Sequence, residues 1–250
     1  MKTLDRAVTD LVIANRILAH EGIVDGYGHV SFRHPQDPNR FLLSRSRSPE
    51  LVTAEDIMEF TLDGRPVGDD RRPPYLERFI HGGIYEARPD VAAVVHSHAE
   101  SVLPFGIAPQ PLVPVIHSAS EIGGPVPVWD IADRFGDTNL LVTNVEQGRD
   151  LANTLGRSAV ALMRGHGFAA AGATLLQVLR IAVALPKNAK VYMEAMRLGP
   201  VKPLSPGEIA IRTREMAVET PATLRGWEYW ARRCGCGHML ADNFDKSKPA

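Results

Sequence analysis

The chain alternates between short apolar runs and longer segments in which apolar residues recur on one side of a helix. Two runs, Val91–Val95 and Ala159–Met163, carry no helical stripe and predict strands that are buried on both faces of a sheet. Other apolar-rich or alternating segments, several of them next to turn-forming residues, predict further strands. These further strands span residues 29–33, 41–44, 57–62, 112–116 and 168–171.

Apolar positions three and four residues apart predict helices, and capping residues, glycines and prolines mark where many of them begin and end. Strands interleaved with helices indicate an α/β domain. The predicted helices are residues 4–21, Pro74–Arg88, a short one at Ser101–Ile107, one from Thr143 to Gly156, a long one from Thr174 to Gly199 that is interrupted at Pro186, and two that start at Ser205 and Thr220.

Composition excludes several classes of protein. The chain is 44% hydrophobic and 23% charged, and its formal net charge of −1 gives no general attraction to nucleic acid or anionic membranes. No apolar run approaches the roughly 20 residues of a membrane helix, and the N-terminal residues lack the apolar core of a secretion signal. Two cysteines are too few for a disulfide framework, so we expect a cytoplasmic setting. We expect one domain over residues 1–243 and a disordered tail at 244–250.

Histidines follow both of the buried strands. His96 comes directly after Val95 and His98 follows two residues later, so both side chains point the same way, because side chains alternate along a strand. His166 follows the second strand between two glycines that leave room for a ligand. Neutral imidazole nitrogens suit zinc, iron and related metals, and a polar strand end is the alternative interpretation. Three histidines with an open fourth position describe a catalytic metal site.

The predicted helix 74–88 carries two residues that extend this cluster. Glu77 and His81 are four apart and therefore share one face of a helix. If that face meets the histidines, Glu77 lies beside the metal as a general acid/base. The alternative is an ordinary surface pair.

Polar residues earlier in the chain are candidates for substrate binding. His29 lies where a glycine-rich turn meets a strand, a place that often approaches a ligand, and a turn histidine facing water is the alternative. The segment Ser44-Arg45-Ser46-Arg47 alternates hydroxyls with guanidiniums, which hold carboxylates or phosphates bidentately. A solvated loop is the alternative for this segment.

Two further motifs lie near the C-terminus. Cys234-Gly-Cys236-Gly-His238 is a rival metal motif, but its cysteines lack the two-residue gap of a zinc knuckle. The last predicted helix carries Trp227, Tyr229 and Trp230, a cluster that is typical of a core or a subunit interface.

Together these residues resemble the class II aldolase/adducin family, typified by fuculose- and ribulose-phosphate aldolases, over roughly residues 5–230. The resemblance rests on Glu77, on its spacing of 19 residues to His96, on His96-Ser97-His98 and on Arg164-Gly165-His166-Gly167. It implies a three-layer α/β/α sandwich around a central mixed sheet, and a homotetramer with sites at subunit interfaces. By position, His96, His98 and His166 match the metal ligands, and Glu77 the acid/base.

Departures from the sugar-phosphate aldolases change the expected substrate. His29 replaces an asparagine, Arg45-Ser46 falls near their phosphate-binding Thr-Gly, and Ser118 falls at their tyrosine. The pattern is similar to a branch that includes decarboxylases of dihydroxyphthalate and of carboxy-substituted hydroxymuconic semialdehyde.

The hypothesis from sequence is therefore a metal-dependent decarboxylase of a hydroxylated aromatic or ring-cleavage acid. It takes one divalent metal per chain, zinc first, with manganese, cobalt or Fe(II) as alternatives. Other readings are an aldolase on a hydroxy-keto acid or sugar phosphate, an Fe(II)-dependent oxygenase on an aromatic keto acid, and a non-catalytic adducin-like module. The predicted substrate-binding residues are His29, Ser44, Arg45, Ser46, Arg47, His81 and Tyr229.

Overall fold

A mixed sheet runs through the middle of the chain in the computed structural model, which describes residues 3–241. Its strands are β1 (His29–Arg33), β2 (Arg40–Ser44), β3 (Ile57–Thr61), β4 (Ala93–Ser97), β5 (Val128–Trp129), β6 (Val160–Met163) and β7 (Gly167–Gly172). They are hydrogen-bonded in the order β3-β2-β1-β4-β7-β6-β5. Only β5 and β6 pair in parallel, and the other neighbours are antiparallel.

Helices cover both faces of the sheet. Along β4, Ala93 and Val95 enter a core shared with α1 and α6, whereas Val94 enters the core on the other face, beside α2 and α5. This arrangement confirms the expected three-layer α/β/α sandwich. The helices are α1 (Leu4–His20), α2 (Arg78–Ala87), α3 (Leu103–Ile107), α4 (Ala132–Phe135), α5 (Val145–Leu155), α6 (Leu175–Leu198), α7 (Pro206–Met216) and α8 (Pro221–Arg233).

Three glycines let α2 lie unusually close to its neighbours. A Cβ atom on Gly83 would overlap the backbone of Gly148 in α5, and one on Gly148 would overlap the carbonyl of Phe79 in α2. A Cβ on Gly82 would overlap the carbonyl of Leu62, just after β3. The position of α2 is therefore set by backbone contacts that leave no space for a side chain.

Two predicted elements are wrong. Residues 112–116 form no strand, because the side-chain amide of Asn188 in α6 takes the place of a partner strand. Asn188 Oδ1 accepts from the N–H of Val115 at 2.8 Å, and its Nδ2 donates to the carbonyl of Val113 at 2.8 Å. Likewise, α6 runs through Pro186 without interruption, since Pro186 itself and its neighbours Leu185, Asn188 and Ala189 are buried.

Other differences concern boundaries and short elements. The second helix begins at Arg78 rather than Pro74, so Glu77 occupies the N-cap position. The two-residue β5 and the four-residue α4 were not predicted. Within residues 3–241, none of the helices has the length and apolar character needed to cross a membrane. The predicted tail at 244–250 lies outside the described residues.

Candidate metal centre

Three imidazoles and one carboxylate converge at the ends of β4 and β6. His98 Nε2 lies 3.0 Å from His96 Nε2 and 3.2 Å from His166 Nε2. Glu77 Oε2 lies 3.4 Å from His96 Nε2 and 3.5 Å from His166 Nε2. One ligand atom from each of the four residues falls within 4.8 Å of the others, so the cluster could hold a metal ion.

The hydrogen bonds of the far ring nitrogens test whether this cluster suits a metal. His96 Nδ1 lies 3.1 Å from the carbonyl of Phe168, and His98 Nδ1 lies 3.4 Å from Asp25 Oδ1. Both partners accept only, so both Nδ1 atoms carry the proton, and in neutral rings both Nε2 atoms are bare. Two facing lone pairs beside a carboxylate repel one another unless a cation lies among them. The donor set therefore fits a divalent metal ion.

The protonation of Glu77 depends on the charge of the cluster. Burial raises the pKa of its carboxyl, whereas positive charge and hydrogen bonds from His96 and His166, when these rings are protonated, lower it more strongly, to below its ordinary range. Oε1 accepts a hydrogen bond from the N–H of Val142 at 3.0 Å, which fixes the orientation of the group. Glu77 also precedes the first turn of α2, where the helix dipole favours negative charge.

A second group of polar side chains lies behind the cluster on the α2 face of the sheet. The ring of His29 is 5.1 Å from that of His96, and its Nδ1 lies 2.7 Å from His81 Nε2. Burial lowers the pKa of His29 well below 6.5 and that of His81 to about 3, so both rings are neutral. His81 Nδ1 contacts Ser31 Oγ at 2.6 Å, and Ser31 Oγ contacts the Tyr85 hydroxyl at 2.8 Å.

The predicted arginine segment is tied to a buried aspartate. Arg45 Nε lies 2.6 Å from Asp56 Oδ1 and Arg47 Nε lies 3.4 Å from Asp56 Oδ2, while Ser46 is exposed. Two guanidiniums thus share one carboxylate, which leaves a net positive charge. Tyr75 connects this segment to the cluster, because its hydroxyl donates to the carbonyl of Arg47 and its ring lies 4.6 Å from that of His29.

Ser44 and Tyr229 differ in their relation to the cluster. Ser44 is fully buried at the end of β2 and lies 3.4 Å from the hydroxyl of Tyr75. Tyr229 is 55% exposed on α8, where Arg233 stacks on its ring at 5.3 Å. Among the contacts of residues 3–241, none links Tyr229 to the histidines of the same chain.

An open cleft of about 630 Å³ borders the cluster on the side of His98. Asp25 and His98 line it at one end, and Lys190 of α6 contributes a positive charge. The volume is in the range of small-molecule sites. A bound molecule could therefore reach the histidines from this side.

Several residues at the site were missed by the sequence analysis. Asp25 holds His98, Asp56 holds the arginines, and Tyr75 connects the two regions. Ser31 and Tyr85 had a readable signal, since Ser31 is two residues from His29 on a strand and Tyr85 is four from His81 on a helix. The ion pair with Asp56 joins residues that no local pattern relates.

The family of the chain follows from comparison with known proteins. The Class II Aldolase and Adducin N-terminal domain matches residues 9–193. The decarboxylase tropJ of Talaromyces stipitatus is 33% identical over 249 residues, which cover 90% of this chain and 93% of that protein. The 3,4-dihydroxyphthalate decarboxylase of Arthrobacter keyseri is 28% identical over an alignment that covers 76% of this chain and 78% of that protein.

A solved structure shows the same fold. An aldolase II superfamily protein from Pseudomonas syringae superimposes with a TM-score of 0.76 at 20% identity, over 96% of both chains. Both of these sequence relatives are decarboxylases, which are lyases, and the prediction of an enzyme of the lyase class is confirmed. The chain belongs to the class II aldolase and adducin family.

Proposed function

We propose that the chain is a divalent-metal-dependent decarboxylase of a hydroxylated aromatic or ring-cleavage carboxylic acid. The convergence of three imidazole nitrogens with the Glu77 carboxylate is the observation that carries the proposal. The resemblance to the tropJ and dihydroxyphthalate decarboxylases supports this reaction class. His96, His98 and His166 would hold the metal, with zinc as the first choice.

A bound divalent ion would act as a Lewis acid that draws electrons toward substrate oxygens next to the bond that breaks. Glu77 Oε2 takes the proton of a substrate hydroxyl. When the bond to CO₂ breaks, its electron pair stays on the ring or chain carbon, and Glu77 Oε2 returns the proton to that carbon. Solvent then reprotonates the hydroxyl oxygen, so the net reaction consumes one proton and releases CO₂.

The remaining polar residues would orient the substrate. Arg47 is the better candidate of the two arginines for a second, retained carboxylate, because its contact with Asp56 is the longer one. Tyr75 places this segment against His29, next to the metal ligands. Ser46 would contribute an exposed hydroxyl beside Arg47, while the buried Ser44 and His81 would support Tyr75 and His29.

We also propose a homotetramer in the reducing cytoplasm, in which Tyr229 of one chain lies near the site of a neighbour. The exposed position of Tyr229 on α8 supports this arrangement, since within one chain it lies apart from the histidines. Cys234 and Cys236 are both free thiols, which suits a reducing setting.

The deciding experiment offers the zinc-loaded enzyme two substrate panels and follows CO₂, aldehyde and O₂ consumption. One panel contains hydroxylated aromatic and muconic carboxylic acids, and the other contains ketose 1-phosphates. We expect CO₂ from the acids without O₂ consumption. Aldehyde from the sugar phosphates with no CO₂ would indicate an aldolase, and O₂ consumption by the Fe(II)-loaded enzyme on an aromatic keto acid would indicate an oxygenase. Either result overturns the proposal.

A further inference from the structure

Four buried polar side chains form a continuous chain of hydrogen bonds that leads away from the metal centre. The contacts run from His29 Nδ1 to His81 Nε2 at 2.7 Å, from His81 Nδ1 to Ser31 Oγ at 2.6 Å, and from Ser31 Oγ to the Tyr85 hydroxyl at 2.8 Å. None of the four residues is more than 1% exposed. Water cannot replace partners at this depth, so the donors and acceptors of the chain must match.

The sheet and α2 bring these residues together. His29 and Ser31 lie on the same face of β1, because they are two residues apart on a strand. His81 and Tyr85 are four residues apart on α2 and share the face that meets the strand. The hydrogen bonds therefore pass in turn between residues of β1 and residues of α2, and the packing of α2 on β1 fixes this order.

The hydrogen bonds of Tyr85, at the far end of this series, determine which atom donates in each bond. The Tyr85 hydroxyl has one proton and two acceptors in reach, Ser31 Oγ at 2.8 Å and the carbonyl of Ala92 at 3.4 Å. That carbonyl already accepts from the N–H of Arg33 at 2.7 Å. The contact with Ser31 Oγ is 2.8 Å against 3.4 Å for the carbonyl, so it is the stronger hydrogen bond and Tyr85 donates to Ser31.

The remaining protons follow from this first bond. Ser31 has one proton, which it donates to His81 Nδ1 because its oxygen already accepts from Tyr85. His81, neutral because it is fully buried, then carries its proton on Nε2 and donates it to His29 Nδ1. His29 is therefore left with its own proton on Nε2. Among residues 3–241, no hydrogen bond engages this nitrogen.

We propose that Tyr85, Ser31 and His81 act in series as positioning residues that hold His29 in the Nε2–H tautomer, so that it presents a neutral N–H donor to a substrate oxygen at the metal centre. The catalytic part of this proposal rests on the proposed function, whereas the tautomer does not. A fixed N–H stabilises negative charge that develops on a substrate oxygen, whereas the opposite tautomer would turn a lone pair toward it.

Ring-¹⁵N-histidine NMR of the metal-free protein tests the tautomer directly. The His29 signals are identified by their loss in His29→Gln. We expect the wild type to carry the proton on Nε2, and we expect Ser31→Ala to lose this single tautomer, because His81 Nδ1 then has no donor. Ser120→Ala, another buried serine, is the matched control and should leave the signals unchanged. A wild-type proton on Nδ1, or identical His29 signals in wild type and Ser31→Ala, would overturn the proposal.

Kinetics test the role of the donor. The amide of glutamine keeps an N–H near the position of Nε2, so His29→Gln should retain kcat within about tenfold, while His29→Leu should lose about 10²–10³-fold, the usual cost of removing one donor from a developing oxyanion. Metal content and KM should stay near wild type in both. Equal kcat in His29→Leu and wild type would overturn the catalytic role. An Nε2–H tautomer in an enzyme without decarboxylase activity would instead count against the proposed function alone.

Discussion

His29 and His96 lie directly opposite each other where β1 pairs with β4, and their ring centroids are 5.1 Å apart. Because strand side chains alternate faces, this pairing sends both rings toward α2. His96 then reaches the metal cluster, while His29 joins it to the buried chain that ends at Tyr85. A shift of one residue in β1 would turn His29 and Ser31 together into the core on the other face.

Removing a histidine should remove the metal. The wild type should hold about one divalent ion per chain, as expected of a single catalytic site. His98→Ala, and equally His96→Ala, should lose both the ion and the activity, because two imidazoles remain in place of three. His98 is the better first choice, since it is less buried and its loss disturbs packing less. Metal analysis of purified protein measures the result, with exposed His20→Ala as control. Wild-type metal content in His98→Ala would contradict the assignment.

Glu77→Gln should separate proton transfer from metal binding. The amide keeps the acceptor that meets Val142 N–H but cannot exchange a proton as a carboxylate does. We expect turnover to fall by about 10²–10⁴-fold with metal and substrate binding retained, the usual contribution of general acid–base catalysis. Steady-state kinetics and metal analysis are run beside Glu86→Gln, which alters a surface carboxylate paired with Arg149. Loss of the ion from Glu77→Gln would mean that Glu77 is a ligand instead.

Arg47→Lys should weaken substrate binding. Lysine keeps the charge but loses the planar fork that grips a carboxylate, so KM should rise while kcat changes little. Arg65→Lys, on an exposed side chain in the turn after β3, is the control. Lys190→Gln is the informative companion, because Lys190 lines the cleft beside His98. If KM rises in Lys190→Gln but not in Arg47→Lys, the substrate carboxylate binds to Lys190 in the cleft rather than to Arg47.

Asp56→Asn should destabilise the fold in a pH-dependent way. Although burial raises the pKa of Asp56, hydrogen bonds from Thr53 and Arg45 lower it more, so the pKa falls below its ordinary value of 3.8. A carboxylate whose pKa is lower in the folded state stabilises the fold above its unfolded-state pKa. This stabilisation is lost as the pH falls through the folded-state pKa.

Asp56→Asn should lower the free energy of unfolding by about 1.5–3 kcal/mol at pH 7, the usual contribution of hydrogen bonds to charged groups. The difference from wild type should shrink as the pH falls below 3.8. Denaturant midpoints of the metal-free protein at several pH values measure it, with exposed Asp69→Asn as control. A difference that is constant across this range would show that the charge of Asp56 is not responsible.

Assembly should complete the site. Light scattering at micromolar concentration should give four times the chain mass of 27.3 kDa. If Tyr229 lies near a neighbour's site, Tyr229→Ala should change KM or kcat without changing metal content. A monomeric mass would count decisively against the tetramer.

The elements that local pattern predicts are those with enough residues to show a period. The apolar run before His96 and the alternation from His29 to Arg33 were sufficient to locate β4 and β1. By contrast, β5 has two residues and α4 has four, too few for any periodic signal. Proline at 186 normally ends a helix, but burial of α6 along the sheet outweighed that local preference.

Some features of the site could likewise be predicted from local sequence pattern, and others could not. The positions of His96, His98 and His166 could be predicted because a strand end points its side chains in a known direction. Other contacts of the site could not be predicted, because Asp25 meets His98 and Asp56 meets Arg45 only through the packing of separate segments. Hydrogen-bond direction in particular depends on which acceptors other residues have already taken.

The glycine contacts between α2 and α5 have a consequence for how this enzyme can be redesigned. Gly83 and Gly148 meet through backbone alone, and Glu77 stands at the start of the helix they anchor. The side chains proposed to bind the substrate, such as Arg47 and Lys190, belong to other elements and do not take part in this contact. Libraries that vary those side chains should therefore change which substrate is bound while the Glu77 carboxylate keeps its distance from the histidines. Substrate range and reaction chemistry are, in this architecture, separately adjustable.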